Sequence, residues 1–569
     1  MRLTHWLAGL ARKRVVAWSG TRRKRNADTA QAVERLEDRT LLAAPHPFDL
    51  ATLDGNNGFR LDGVAQADSA GISVSTAGDF NGDGFDDLLI GASGADPDGN
   101  AQAGESYVVF GSGNGFSPDY DLDALDGDNG FRLVGIDAAD ASGSSVSTAG
   151  DFNGDGFIDI LVGAKRADPD GKDLAGESYV VFGASGGIGA TLDLSSLDGT
   201  DGFRLDGVDD GDYSGAAVSR AGDVNGDGFQ DILVGAFGAD LNGGNEVGET
   251  FVVFGSDNEF AASLDLSTLD GHTGFRLDGI DSLDLSGTAV GTAGDVNGDG
   301  FYDLLVGARL GDPNGAIDAG EGYLVFGGGT TFASSLNLST LNGTNGFRLD
   351  GIDTLDRLGE AVGTAGDVNG DGIDDFLMTA KTAAPKTGGE GETYVVFGTA
   401  SEFESVLNVS TLSGTNGFRL DGIANGDHSG ASVGTAGDFN GDGVDDILIG
   451  APLADPNGNP QAGEAYIVFG TTSGFSSSID LADLNGTNGF RIEGIAASDS
   501  TGTSVSTAGD IDGDGFDDVI IGADSVDANG ENSSGASYVI LGGDFTSSVT
   551  HAGTSSADTL TGDAAANVI

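Results

Sequence analysis

The chain has no cysteine, which excludes disulfides, zinc–thiolate centres and thiol nucleophiles. Proline is scarce as well, 10 in 569 residues, and the 100 glycines follow no Gly-X-Y period, so a collagen-like helix is excluded. Basic residues number 25 against 90 acidic ones, a formal net charge of −65, and 10 of the 25 fall between Arg2 and Arg39. The rest of the chain is almost purely acidic. It lacks the Lys and Arg that neutralise phosphates, so neither nucleic acid nor an anionic membrane surface is an expected partner. No apolar run approaches the ~18 residues that span a bilayer, so no transmembrane segment is expected. There is no G-x-S-x-G elbow, no H-E-x-x-H pair and no phosphate loop. Of five histidines (His5, His46, His272, His428 and His551) only His272 and His428 fall inside the repeated part described next, at non-equivalent positions, and both are expected to be solvated loop residues. The chain is therefore not expected to be an enzyme. Hydrophobic residues, 38%, are too few for one deep core but enough for thin layers stacked on one another.

What the chain has in excess is a repeat. The segment GDFNGDGFDDLLIGA, beginning at Gly78, recurs seven times, with its leading aspartate at Asp79, Asp151, Asp223, Asp295, Asp367, Asp438 and Asp510. Successive copies lie 72 residues apart, once 71. Each unit holds four short stretches rich in Val, Ile, Phe and Tyr and bounded by Gly, Asp and Asn, in the first unit near Phe59, Val74, Leu88 and Val108; such stretches read as strands. A further patch, LDLSSLDG near Leu192 and its equivalents, reads as an outer turn or an extra edge strand. Four-stranded units at a fixed period suit blades around a channel. The expected fold is all-β, a seven-bladed β-propeller of about 72 residues per blade over residues 46–545. The first unit opens with Phe59-Arg60-Leu61 and no eighth copy follows the seventh unit, so the ring is expected to be closed by the N-terminal strand. An open array or β-solenoid is the alternative, though solenoid repeats run shorter.

The chemistry concentrates in one loop per unit. In Asp79-Phe80-Asn81-Gly82-Asp83-Gly84-Phe85-Asp86-Asp87, side-chain oxygens stand at positions 1, 3, 5 and 9, and the backbone carbonyl of position 7 offers another. Ca²⁺ takes about six to eight oxygens at flexible geometry, and the glycine after position 5 permits the sharp turn. Mg²⁺ dehydrates reluctantly and fits less well. The candidate ligands are Asp79, Asn81, Asp83, Phe85 and Asp87; Asp151, Asn153, Asp155, Phe157 and Asp159; Asp223, Asn225, Asp227, Phe229 and Asp231; Asp295, Asn297, Asp299, Phe301 and Asp303; Asp367, Asn369, Asp371, Ile373 and Asp375; Asp438, Asn440, Asp442, Val444 and Asp446; and Asp510, Asp512, Asp514, Phe516 and Asp518. About seven calcium ions are expected, one per blade, the tightest at the seventh loop, where Asp512 replaces Asn. Position 12 of the first loop is Ile90, within an apolar run, so the loop is not an EF-hand. The bland alternative is a set of Asx-rich turns without an ion, each holding three or four uncompensated carboxylates.

This loop pattern, followed by an apolar strand and Gly-Ala, resembles the FG-GAP repeat of integrin α-subunit propellers. Gly450-Ala451-Pro452 matches the GAP signature in full, other copies keep Gly-Ala, and the fifth has Thr379-Ala380. The resemblance covers roughly residues 46 to 545. It implies a seven-bladed propeller with calcium loops between strands of a blade, and a role in adhesion or surface recognition. The even spacing leaves no room for an inserted domain, integrin cysteines are missing and nothing after Phe545 looks like a stalk or anchor, so an integrin-type heterodimer is not expected. A secreted or cell-surface bacterial relative is the more natural reading. Residues 1–45 then read as a basic export leader or disordered tail, in which Leu36–Leu42 resembles a short signature of exported bacterial proteins. Residues 546–569 read as a polar tail whose Gly553–Ile569 stretch resembles the start of an RTX-type calcium repeat.

Other recurring residues read as architecture. Glu105, Glu177, Glu249, Glu321, Glu392 and Glu464 precede the last strand of six units, and Phe59-Arg60 repeats in all seven. The Asp-Pro-Asp loops at Asp96 and Asp168 read as turns, or as weak second cation sites. The expected partner is an extracellular protein or glycan. A propeller enzyme acting on polysaccharide, lyase or hydrolase, is the rival reading, and a non-catalytic glycan-binding scaffold a third. The enzyme would need an irregular loop bearing a His, Lys or Arg cluster, and the sequence by itself displays none.

Overall fold

The computed structural model describes residues 46–544 except 187, 242 and 387. The expected leader, with Leu36–Leu42, and the expected tail lie outside the described residues. Seven five-stranded sheets form the blades of a β-propeller. Blade 1 runs outward from Ser73–Gly78 through Asp87–Ala92, Glu105–Val109 and Gly130–Val134, all antiparallel. Its fifth strand, Thr191–Asp193, pairs in parallel with Gly130–Val134. The innermost strands of blades 2 to 7 are Ser142–Gly150, Ala217–Gly222, Ala289–Gly294, Val362–Gly366, Ser432–Gly437 and Ser504–Gly509, and each packs beside its neighbours in a closed ring. The second and third strands of every blade are buried along their whole length. A strand covered on both faces has no polar side to show, which is why DLLIGA and ESYVV read as continuous rather than alternating runs.

The ambiguous LDLSSLDG patch is both things at once. Thr191–Asp193 is an edge strand; then the Asp193 carboxylate accepts from Ser195 N (2.9 Å), capping a single 3-10 turn, Leu194–Ser196, that buries Leu194. This patch is laid on the preceding blade before the chain returns to add the fourth strand of its own, so every blade is laced to the one before it. Closure follows the same rule. Gly58–Asp62 pairs antiparallel with Ala536–Ile540 as the fourth strand of blade 7, as expected. Phe48–Asp49 adds the outer strand of blade 6, and Asp119–Asp121 that of blade 7. Sequence reasoning found the first of these three closing pairings and missed the other two.

Blade contacts explain the repeated residues. Phe59 is fully buried and stacks on Phe116, in the segment that leads out of blade 1 into the outer strand of blade 7, ring centroids 4.2 Å apart, and Phe203–Phe260 and Phe418–Phe475 repeat the arrangement. Glu105 accepts from Tyr107 Oη (2.7 Å) and lies 3.3 Å from Arg132, so the recurrent Glu and Arg hold adjacent strands. The glycine of Gly-Ala is a clearance residue: a Cβ on Gly163 would lie 2.2 Å from the carbonyl oxygen of Gly215 in the next blade. Gly163→Ala is expected to cost about 1–3 kcal/mol by overpacking, read as a lower urea midpoint at unchanged m-value. A neutral result would show that the blades can part without penalty.

Candidate metal centre

Each Asp-rich loop joins the first and second strands of its blade, a tight connection whose carboxylates are oriented by the loop's own backbone. In blade 1, Asp83 N donates to Asp79 Oδ1 (2.9 Å) and Asn81 Oδ1 (2.8 Å), Gly84 N to Asp79 Oδ2 (3.0 Å) and Phe85 N to Asp83 Oδ1 (3.1 Å). The same ladder runs through Asp510, Asp512 and Asp514 in blade 7, whose carboxylate oxygens lie within 4.8 Å of one another. Gly82 and Gly84 sit at φ 75° and 95°, the left-handed region the turn demands.

Position 9 behaves differently from the sequence expectation of a simple ligand. Asp87 is fully buried and both of its oxygens accept backbone N–H groups: Oδ2 from Phe80 (3.1 Å) and Oδ1 from Gly111 (2.9 Å), which follows the third strand. Asp159, Asp231, Asp303, Asp375, Asp446 and Asp518 repeat the bond to the glycine after the third strand, at Gly183, Gly255, Gly327, Gly398, Gly470 and Gly542. The residue thus buckles the loop to its own blade. Each Asp87 oxygen accepts one of these two bonds and keeps a second lone pair, so ligation and buckling are compatible in blade 1. In blades 5 and 6 the Asn369 and Asn440 amides donate to Asp375 and Asp446.

A divalent cation fits this donor set. Asp151 Oδ1, Asn297 Oδ1 and Asn440 Oδ1, at loop positions 1 and 3, are buried without a hydrogen-bond donor. A buried acceptor left unpaired is costly, and a cation satisfies it. Burial first, then the charges of Asp83 and Asp79, push the Asp87 carboxyl up to about 8 against the opposing backbone bonds. Asp231, Asp303, Asp375, Asp446 and Asp518 reach about 8 and Asp159 about 7, also chiefly through burial.

The consequence for pH has a definite sign. Between about pH 4 and pH 8 these carboxyls hold protons in the folded state that the unfolded chain has released, so without a cation stability falls as pH rises. Excess calcium, which binds the ionised form, is expected to flatten or reverse that slope. Urea midpoints at pH 5 and pH 8, with chelator and with calcium, test it. A chelated protein that gains stability toward pH 8 would refute the uncompensated burial.

Neighbouring loops touch, which the repeat pattern alone did not disclose. A Cβ on Gly82 would meet the ring of Phe157 at 2.3 Å, so the position-7 phenylalanine of one blade covers the loop of the blade before, and Phe85 covers Gly513 across the closure. At position 8, Asp86 Oδ2 accepts from Asp510 N (2.9 Å), Asp374 Oδ2 from Asp295 N (2.8 Å) and Asp445 Oδ2 from Asp367 N (2.8 Å).

The opposite face needs two corrections. The sequence displayed no irregular cationic cluster, yet the fold assembles one: Arg309 Nη1 and Lys381 Nζ lie 3.4 and 2.5 Å from Glu360 Oε1, with Arg357 and His428 alongside. Residues 309, 357, 381 and 428 belong to three blades, so no local motif announces them. His428 is half-buried rather than solvated, and burial, then the charge of Lys381, lowers its pKa. His272 is exposed, as expected. The Asp-Pro-Asp loops are turns: Asp96 Oδ1 accepts from Gln102 N (2.6 Å) and Asp168 Oδ1 from Leu174 N (2.7 Å). No helix among the described residues is long and apolar enough to cross a membrane.

A family model described as FG-GAP repeat matches residues 70–109, 142–181, 214–253, 286–325, 358–396, 429–468 and 501–540. Each match runs from at or just before the start of an innermost strand to the end of the third, and so carries one Asp-rich loop. Phosphatidylinositol-glycan-specific phospholipase D of Dictyostelium discoideum is 27% identical over 321 residues, 53% of this chain and 31% of that protein. Integrin alpha-5 of Xenopus laevis is 31% identical over 185 residues, 32% of this chain and 16% of the relative. Phosphatidylinositol-glycan-specific phospholipase D of Bos taurus is 32% identical over 161 residues, 28% of this chain and 18% of the relative. The chain thus spans less than a third of the length of these relatives.

Proposed function

The chain belongs to the FG-GAP repeat family, and from that premise we propose that it is an extracellular, calcium-stapled β-propeller that serves recognition, adhering to a surface or matrix partner, and performs no catalysis. What carries this reading is the sevenfold set of loops in which position-9 carboxylates are buried beside other loop carboxylates with no cationic side chain among the described residues to offset them. Asp79, Asn81, Asp83 and Asp87 would hold the ion in blade 1, with the Phe85 carbonyl, and their equivalents would do so in the others. Bound calcium would supply charge neutralisation and a crosslink between loop and blade, standing in for the disulfides that a cysteine-free chain cannot form. Residues 46–545 form the recognition body in this proposal, 1–45 an export leader and 546–569 a polar tail, in a secreted or surface-bound bacterial protein that needs no integrin-type partner subunit.

The activity named for the phospholipase relatives belongs to proteins of which the match covers 31% or less, and it is not carried to this chain. Metal counting on the full chain after dialysis against calcium is expected to return about seven ions. An absence of bound metal, or turnover of uronate polymers by the purified protein, would sink the proposal in favour of acidic turns or of a polysaccharide enzyme.

A further inference from the structure

The loops that join the second to the third strand, and the fourth strand to the next blade, emerge at the end of the propeller opposite the Asp-rich loops. Two rim positions there vary from blade to blade while their backbone does not. The residue after Gly-Ala is Ser93, Lys165, Phe237, Arg309, Lys381, Pro452 or Asp524. The residue before the innermost strand's approach is Arg357 in blade 5, His428 in blade 6 and Tyr213 in blade 3, all near φ 57°. The cations are not spread evenly. Of the 15 basic residues after Arg39, seven are the repeated Phe-Arg arginines, and the other eight all fall between Lys165 and Lys386, in blades 2 to 5.

At blades 4 to 6 they converge. Glu360, which has Ile, Ser, Ala or Thr as its counterpart in other blades, draws Arg309 and Lys381 together. Among the described residues Arg357 has no carboxylate within ion-pair distance, and its Nε is buried without an acceptor. Three cations and a histidine thus gather about Glu360, in a chain of net charge −65. Beside them stand three of the four exposed large apolar side chains among the described residues: Leu283 (56% exposed), Ile317 (60%) and Leu355 (52%). Leu355 N bonds to Ile317 O (3.0 Å), joining two of them directly. Leu283 and Leu355 occupy corners at φ 73° where the other blades place Ala67, Ala139, Gly211, Gly426 or Ser498. A leucine in the left-handed region is strained, and one facing solvent returns nothing to the core.

We infer that this rim over blades 4 to 6 is a docking surface for an acidic protein segment, whose carboxylates pair with Arg357, Lys381 and Arg309 and whose apolar side chains cover Leu283, Ile317 and Leu355. Charge complementarity selects an acidic partner. The branched aliphatic side chains select protein over acidic glycan, since a sugar ring gains from aromatic faces and has no aliphatic chain to bury here. The inference rests on the recognition reading above.

The test is a random dodecapeptide library selected on the calcium-loaded full chain. Selected peptides are expected to be rich in Asp and Glu together with Leu, Ile or Phe. Their affinity is expected to fall about tenfold or more on Arg357→Glu/Lys381→Glu, and also on Leu355→Ser, at a side chain 52% exposed, and to weaken with added salt. Peptides without acidic bias, or bound equally by both variants, would overturn it. So would binding of polygalacturonate that the charge variant loses and Leu355→Ser leaves intact, which would assign the rim to an acidic glycan. Each protein is melted with and without calcium alongside. A failed selection with the calcium effect intact defeats this inference alone, and loss of the calcium effect defeats the reading beneath it.

Discussion

Chelation of calcium is expected to remove most of the folding stability of this propeller. At about 1 mM calcium and a Kd of about 0.1 mM, a range met in extracellular calcium modules, one site adds about 1.4 kcal/mol. Seven such sites approach 10 kcal/mol, comparable with the whole margin of a typical folded domain. The loops touch through Phe157 on Gly82 and its equivalents, and through Asp86 on Asp510. Their ions are therefore expected to be coupled rather than strictly additive. The measurement is a calorimetric scan in excess chelator against one in excess calcium. A large upward shift with calcium, absent with sodium at equal ionic strength, is the expected result. Coincident scans would mean that the carboxylates tolerate one another without an ion, and the stapling role would fall.

The second large effect is expected at the closure. Phe59 is fully buried on the strand that completes blade 7, and it stacks on Phe116, which leads into that blade's outer strand. Phe59→Ala is expected to cost about 3–5 kcal/mol, the range for deleting a buried aromatic ring. Phe131→Ala removes an equivalent ring from the fourth strand of blade 1, where chain continuity holds the strand in place. The two variants should lose similar amounts in urea, but they should differ in how they fail. Opening the closure bares the edge of Ala536–Ile540, and an unpaired strand edge recruits other chains. Concentration-dependent association on size exclusion is therefore expected for Phe59→Ala and not for Phe131→Ala. A closure variant that stays monomeric and loses less than about 1 kcal/mol would show that Phe48–Asp49 and Asp119–Asp121 hold the ring without it.

What could be read in the sequence is what happens seven times. The Asp-x-Asn/Asp-Gly-Asp-Gly loop, the buried Val-Ile-Leu strands and the Phe-Arg pair each announce themselves by period, and all stand where a blade requires them. Pairings that cross blades left weaker traces. Asp87 reads as one more loop carboxylate, yet it accepts from Gly111, 24 residues on, and only the path of the third strand brings that glycine back. The glycine of Gly-Ala reads as a family signature, while its cause is a carbonyl in the next blade. Departures from the period were hardest to see. Glu360, Arg357 and Lys381 look like scattered exceptions until the ring sets blade 4 against blade 5.

The lacing of each blade to its predecessor separates the unit of the chain from the unit of the ring. A 72-residue window starting anywhere in the repeated part carries a full complement of strands, some for its own blade and some for a neighbour's. Duplication or loss of such a window keeps every pairing in phase wherever the breakpoints fall, so the gene can gain or shed blades without cutting at a structural border. The same offset governs proteolysis. A nick in one connecting loop frees no fragment, because the strands on either side of the cut remain woven into sheets that the other piece completes.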